Sequence, residues 1–168
     1  MLKLTKKADY GLIALKHLAL LPEPVSASAK DIADCYGVPL ALLSKILQKL
    51  VRNGFLRSVH GVNGGYRLAR DPRSITALEV IRSIDGPIIL ASCFTEHGEC
   101  NHSEKCNVRE PLRRIHEGIL RLLNNISISD ICRDDLEIRE GDKFPAPGTL
   151  FEVSPAIPAP RASLEASK

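Results

Sequence analysis

The hydrophobic pattern divides the chain into helices separated by short turns. An apolar stretch from Leu12 to Leu21 follows Thr5, whose hydroxyl can cap a helix, and Pro22 and Pro24 stop it, so a first helix is expected to reach about Leu21. In "SASAKDIADCYGVPLALLSKILQKLVRNG", Ser26 or Ser28 can cap a short helix through Tyr36, and Gly37 makes the turn. Pro39 suits the first turn of the next helix, because its missing N–H needs no partner there. That helix sets Leu43, Ile46, Leu47 and Leu50 on one face and ends at Asn53-Gly54. Helix, tight turn, helix is an arrangement that can present its second helix to the major groove of DNA.

The period then changes. In "FLRSVHGVNGGYRLAR" two β-prone runs, Phe55–Val59 and Tyr66–Leu68, flank a glycine-rich turn, which reads as a hairpin wing. "ITALEVIRSIDG" gives a short helix from about Ala77 to Ile84. Pro111 opens a long helix on which Val108, Leu112, Ile115, Ile119, Leu122 and Ile126 recur at spacings of four and three, an a/d seam suited to an identical helix of a second subunit. Fewer than three heptads fit, so an amphipathic core helix is the competing reading. "SISDIC" adds a turn or two. From about Asp134 the chain is polar, and from Lys143 it carries five prolines. The expected fold class is mainly α with a small β-hairpin wing: a winged helix-turn-helix domain over residues 1–76, a loop and dimerisation helix over 77–133, and a disordered tail over 134–168.

Composition supports a helical core. Of 168 residues 44% are hydrophobic, only 4% are aromatic, and Trp is absent, so Leu, Ile, Val and Ala must fill the interior. No apolar run approaches a membrane span, and Leu12–Leu21 contains Lys16 and His17, which argues against a signal peptide. A cytoplasmic location is expected, where thiols stay reduced, and an odd count of five cysteines then suggests metal or redox chemistry. The net charge of +3 hides an asymmetry: residues 1–70 carry 11 Lys/Arg against 4 Asp/Glu, the remainder 12 against 16. A basic first half can face duplex DNA, with Arg57, His60 and Arg67 of the wing meeting phosphates or a minor groove.

Three of the cysteines lie in "CFTEHGECNHSEKC", spaced C-x6-C-x5-C at Cys93, Cys100 and Cys106. Thiolates are soft ligands for iron–sulfur clusters, Zn and Cu(I). Loops of five and six residues are too long for the C-x2-C knuckle of zinc ribbons but long enough to wrap a cluster. A fourth ligand is usual; within the loop His97, His102, Glu96, Glu99 and Glu104 are all candidates, and composition does not choose among them. Cys35 and Cys132 fall on expected helices and read as small packing residues.

"LTKKADYGLIAL", the helix-turn-helix, "GVNGGYRLAR", "ITALEVIRSIDG", the three-cysteine loop and "LNNISISDI" occur in that order over roughly residues 1–133. Together they resemble the Rrf2 family of winged-helix transcription regulators, which has IscR-like and NsrR-like branches. "GPIILASC" with its cysteine spacing is most similar to the branch that controls Suf-type iron–sulfur assembly genes. The resemblance implies that Cys93, Cys100 and Cys106 hold an iron–sulfur cluster, 2Fe–2S ahead of 4Fe–4S. The histidine of IscR-like members is replaced by Arg109; the aspartate that NsrR-like members take from the partner subunit matches Asp9, placed ahead of His102 as fourth ligand. On the DNA side it implies contacts from Ser28, from Ala41, Leu42, Ser44, Lys45 and Gln48 of the second helix, and from Arg57, His60, Gly61, Asn63, Gly64 and Arg67 of the wing. Ser44 and His60 depart from a glutamate and an arginine of IscR-like members, so the operator need not carry over.

The resulting expectation is a homodimeric, cluster-containing repressor that reads a palindromic operator and responds to cluster, redox or iron status. The alternatives are a nitric-oxide-sensing repressor of the same family and a zinc-stabilised DNA-binding module using His102. Enzyme activity is not expected: the Gly61–Gly65 run lies between strands rather than opening a helix, and no Ser/His/Asp set is apparent.

Overall fold

The computed structural model describes residues 4–61, 64–94 and 105–133, all within one compact unit. Along these residues the order is α1 (Lys6–Leu20), α2 (Ala29–Tyr36), α3 (Leu40–Arg52), β1 (Leu56–Val59), β2 (Gly65–Leu68), α4 (Ala77–Asp85), α5 (Arg109–Asn125) and α6 (Ile128–Cys132). Single 3-10 turns lie at Pro72–Ser74 and Ser92–Phe94. The mainly helical class with one antiparallel hairpin agrees with the sequence pattern. No described helix is long and apolar enough to cross a membrane.

Side chains next to the helices set where they begin. The Thr5 hydroxyl accepts from the Ala8 N–H and caps α1. Ser28, Thr76 and Ser127 each form a capping box with the carboxylate three residues on, Asp31, Glu79 and Asp130. Gly37 takes φ 63° and reverses the chain between α2 and α3. Pro39 stands at the N-cap of α3, one position before the first turn expected for it, and its carbonyl accepts from Leu42 and Leu43.

The core is built around α1, which packs against α3, α4, α6 and β2. Ala14, Leu15 and Leu18 meet Ile32 of α2 and Leu43, Ile46, Leu47 and Leu50 of α3 in one apolar cluster, continued by Val80, Ile81 and Ile84 of α4 and by Ile128. Each large aliphatic residue buried there is worth about 1.5–3 kcal/mol. Helix α1 comes closest to α4 at Gly11, where a Cβ would stand 2.3 Å from Ile84 Cδ1. The same end of α4 is held by two polar contacts. Thr5 Oγ1 lies 2.7 and 2.8 Å from the Asp85 carboxylate oxygens, and Lys49 Nζ of α3 donates to the Ile84 carbonyl at 2.9 Å.

Two isolated bridges join segments that are distant in sequence, Ala27 with Tyr66 and Thr76 with Ser127. The first carries the hydrogen bonds Tyr66 N–H to Ala27 carbonyl (2.8 Å) and Ala27 N–H to Tyr66 carbonyl (3.3 Å). It fastens the strand that leads into α2 along the edge of the wing.

One of the two cysteine packing expectations is modified and the other holds. Cys35 is exposed, not packed: two-turn α2 buries only Ile32 and Ala33, and its last turn runs clear of the core. Cys132 is half-buried against the core, with its thiol 3.8 Å from the Lys16 carbonyl, and burial raises its pKa. Helix α5 buries none of its residues; Val108 and Ile115 of the apolar seam are 52% and 53% exposed.

Candidate functional site

Helix α3 separates its faces cleanly. Leu43, Ile46, Leu47 and Leu50 are buried, which turns Ala41, Lys45 and Gln48 outward as exposed residues with Ser44 half-buried beside them. Leu42 is half-buried and packs against the core, so it contributes less to the open face than its neighbours. Lys49, also on this helix, is committed to the Ile84 carbonyl and steadies α3 instead of facing outward freely.

The wing is an antiparallel pair in the register Leu56–Leu68, Arg57–Arg67, Ser58–Tyr66 and Val59–Gly65. Arg57 and His60 are exposed, Arg67 is half-buried, and the Arg67 Nε is shut off from solvent without an acceptor among the described residues. Gly61 adopts φ 119°, a conformation that other residues rarely take, and a Cβ at Gly64 would collide with the Val59 and Gly61 carbonyls at 2.6 and 2.8 Å. Asn63 lies outside the described residues. Ser28 is fully used as a cap: its hydroxyl donates to Asp31 Oδ2 at 2.7 Å and accepts from the Asp31 N–H at 3.1 Å. The hydrogen bonds that the Ser28 hydroxyl and then its backbone N–H donate hold the Asp31 carboxyl below its usual pKa. Ser28, Gly64 and Arg67 line one cavity of about 660 Å³ between the start of α2 and the wing. The Ala27–Tyr66 bridge creates that proximity, and no local sequence signal announces it.

The cysteines present a partial picture. Cys93 lies in the 3-10 turn Ser92–Phe94 and Cys106 just before α5, both half-buried free thiols. Cys100, His97, His102, Glu96, Glu99 and Glu104 fall outside the described residues. Next to Cys93, the Phe94 ring stacks on His116 of α5, with centroids 5.4 Å apart. The His116 Nδ1 is buried with no hydrogen-bond partner among the described residues. Sequence reasoning passed over His116, since its side chain is conspicuous only through that packing. Asp9 is exposed in the first turn of α1. Among the described residues no three His, Cys, Asp or Glu side chains come together closely enough to hold a metal ion, so Asp9 does not join Cys93 and Cys106 within one chain.

A helix-turn-helix whose open helix face stands beside a bridged hairpin defines a winged-helix transcription regulator. The chain belongs to the Rrf2 family: the family model described as "Iron-dependent Transcriptional regulator" matches residues 4–134. It is 33% identical over 139 residues to the HTH-type transcriptional regulator NsrR of Geobacillus kaustophilus, covering 82% of this chain and 95% of that protein. Among solved structures it is similar to CymR (YrzC), the global cysteine regulator of B. subtilis, with a TM-score of 0.69 and 30% identity over 79% of this chain and 97% of that one. It is also similar to T. potens IscR, with a TM-score of 0.63 and 25% identity over 89% and 97% of the two chains. These relatives are regulators, not enzymes.

Proposed function

We propose that the protein is a homodimeric, iron–sulfur-dependent repressor that binds a palindromic operator, with Suf-type cluster assembly genes as its targets. The observation that carries the DNA reading is the outward face of α3 beside the wing in the basic half of the chain. Ala41, Ser44, Lys45 and Gln48 would reach base edges, with Leu42 at the margin of that face. Arg57, His60, Gly61, Asn63, Gly64 and Arg67 would fix the register on the backbone, and Ser28 would hold the start of α2 beside them. The uncovered seam of α5 supports a dimer, because Val108 and Ile115 gain burial only from another surface.

Cys93, Cys100 and Cys106 would hold the cluster, which supplies an exchangeable, redox-sensitive centre. The donor set fits: Cys93 and Cys106 are free, half-buried thiols, and the orphaned His116 Nδ1 beside Phe94 leaves a polar atom to be met near the loop. Asp9 of the partner subunit would complete the set. A carboxylate is a harder donor than thiolate and easier to displace, which suits sensing. The relation to NsrR favours a second reading, in which the sensed species is nitric oxide and not cluster supply.

Anaerobic purification with iron and acid-labile sulfide counted per chain tests the cluster; visible absorbance separates it from zinc. DNA binding is tested by salt titration. With roughly 6–10 phosphate contacts, affinity should fall about 10³–10⁵-fold between 50 and 200 mM salt. Zinc in place of iron, or salt-insensitive association, would defeat the respective half of the proposal.

A further inference from the structure

A cleft of about 700 Å³ lies on the flank of the wing, between the hairpin, the end of α1 and the segment leading to α4. Four arginines line it, Arg57, Arg67, Arg70 and Arg73, against two carboxylates, Glu23 and Asp71. The strand register sets Arg57 directly opposite Arg67, so the two guanidinium groups leave the hairpin on the same face. Like charges in that relation repel. Arg70 is already engaged, 3.5 Å from Glu79 and 4.9 Å from the centre of the Phe55 ring. Asp71 is engaged too, its Oδ1 accepting from the Arg73 N–H at 2.8 Å. The side chains of Arg57, Arg67 and Arg73 form no ion pair among the described residues.

We infer that this cleft binds a small multivalent oxyanion, phosphate or a metabolite bearing a phosphate or two carboxylates, through Arg57, Arg67 and Arg73. Guanidinium forks match such groups in two-pronged hydrogen bonds. A bound anion relieves the repulsion across the hairpin and gives the terminal nitrogens of these forks acceptors. Arg67 also lines the neighbouring cavity with Ser28 and Gly64, on the side proposed to meet DNA. An anion in the cleft neutralises part of the charge offered to DNA and repels its backbone, so an occupied cleft lowers DNA affinity. That last consequence rests on the DNA reading; the anion site does not.

The test starts with the full chain, free of DNA, titrated with inorganic phosphate while chloride holds the ionic strength constant. Phosphorus NMR or calorimetry should show saturable binding at one site per chain. Arg57→Gln and Arg73→Gln should each weaken it about tenfold or more, with thermal unfolding confirming an intact fold. No saturable binding, or binding that both substitutions leave unchanged, overturns the site. A second arm measures DNA affinity. Arg73→Gln should keep wild-type DNA affinity in phosphate-free buffer, and phosphate should weaken DNA binding of the wild type beyond an equal ionic strength of chloride. If Arg73→Gln instead lowers the salt slope by about one unit, the cleft houses a DNA backbone phosphate and the free-anion site is wrong.

Discussion

Three glycines offer a graded test of how the wing is fastened to the helix pair. At Gly65 an added Cβ would stand 2.3 Å from the Ala27 carbonyl oxygen, 2.6 Å from its carbon and 2.9 Å from the Ser28 nitrogen. All three are backbone atoms, so Gly65→Ala can be accommodated only by moving strand β2 away from residues 27–28. The two hydrogen bonds of the Ala27–Tyr66 bridge would go with it, at about 0.5–1.5 kcal/mol each. Residual overpacking costs about 1–3 kcal/mol, and the loss of glycine's freedom in the unfolded chain offsets about 0.4–1 kcal/mol. The net expectation is a destabilisation of about 2–4 kcal/mol, or roughly 5–15 °C in Tm for a chain of this size. Gly11→Ala meets only the terminal Cδ1 of Ile84 at 2.3 Å, which can rotate away, and should cost less. Gly118→Ala on α5 meets nothing within 4 Å and should stabilise by about 0.5–1 kcal/mol. Differential scanning calorimetry of the three variants gives the order directly. A Gly65→Ala protein that melts within a degree or two of wild type, or one less affected than Gly118→Ala, would refute the close backbone approach.

Asp9→Ala should leave fold and dimer intact but change cluster absorbance or its lability, whereas His102→Ala should do little; the reverse pattern in visible spectra would place the fourth ligand within the loop. Ile119, half-buried on the apolar side of α5, should not tolerate a charge: Ile119→Glu is expected to shift the protein toward monomer in sedimentation, and an intact dimer would move the interface elsewhere. Hydrogen bonds from Arg113 first, then Arg114, pull the Glu110 carboxyl down to about 2. Because its folded pKa lies below the unfolded value of about 4.3, its contribution is present at neutral pH and fades as pH falls from there toward 2. The Tm difference between wild type and Glu110→Gln should therefore shrink over that window, and a difference that grows on acidification would contradict it.

Much of this architecture is legible from local signals. Thr5, Ser28 and Thr76 announce helix starts because capping depends on neighbours within three residues, and the buried face of α3 follows from its period. What escapes is long-range. Nothing near Ala27 foretells its pairing with Tyr66, and nothing near Lys49 foretells its bond to the Ile84 carbonyl, since both depend on segments dozens of residues away. Cys35 shows the limit of reading burial from residue type: a thiol on a two-turn helix is carried outward when only Ile32 and Ala33 reach the core. On α5 the spacing of Ile115 and Ile119 marks an apolar stripe without saying which surface covers it. The cysteine spacing suggests a ligand set, but Cys100 lies outside the described residues and no third donor joins Cys93 and Cys106 among them.

The two polar contacts at the end of α4 have a mechanical meaning. Thr5 grips Asp85 from the start of α1, and Lys49 grips the adjoining Ile84 carbonyl from the middle of α3. Asp9 is one helical turn beyond Thr5, and Lys49 is one turn beyond Lys45. The end of α4 is thus a joint shared by α1 and α3, and Gly11 leaves room for Ile84 against α1. The start of α1 and the middle of α3 are therefore tied to the same two neighbouring residues, Ile84 and Asp85. Lys49→Met would untie α3 from that joint and leave the Thr5 cap of α1 in place.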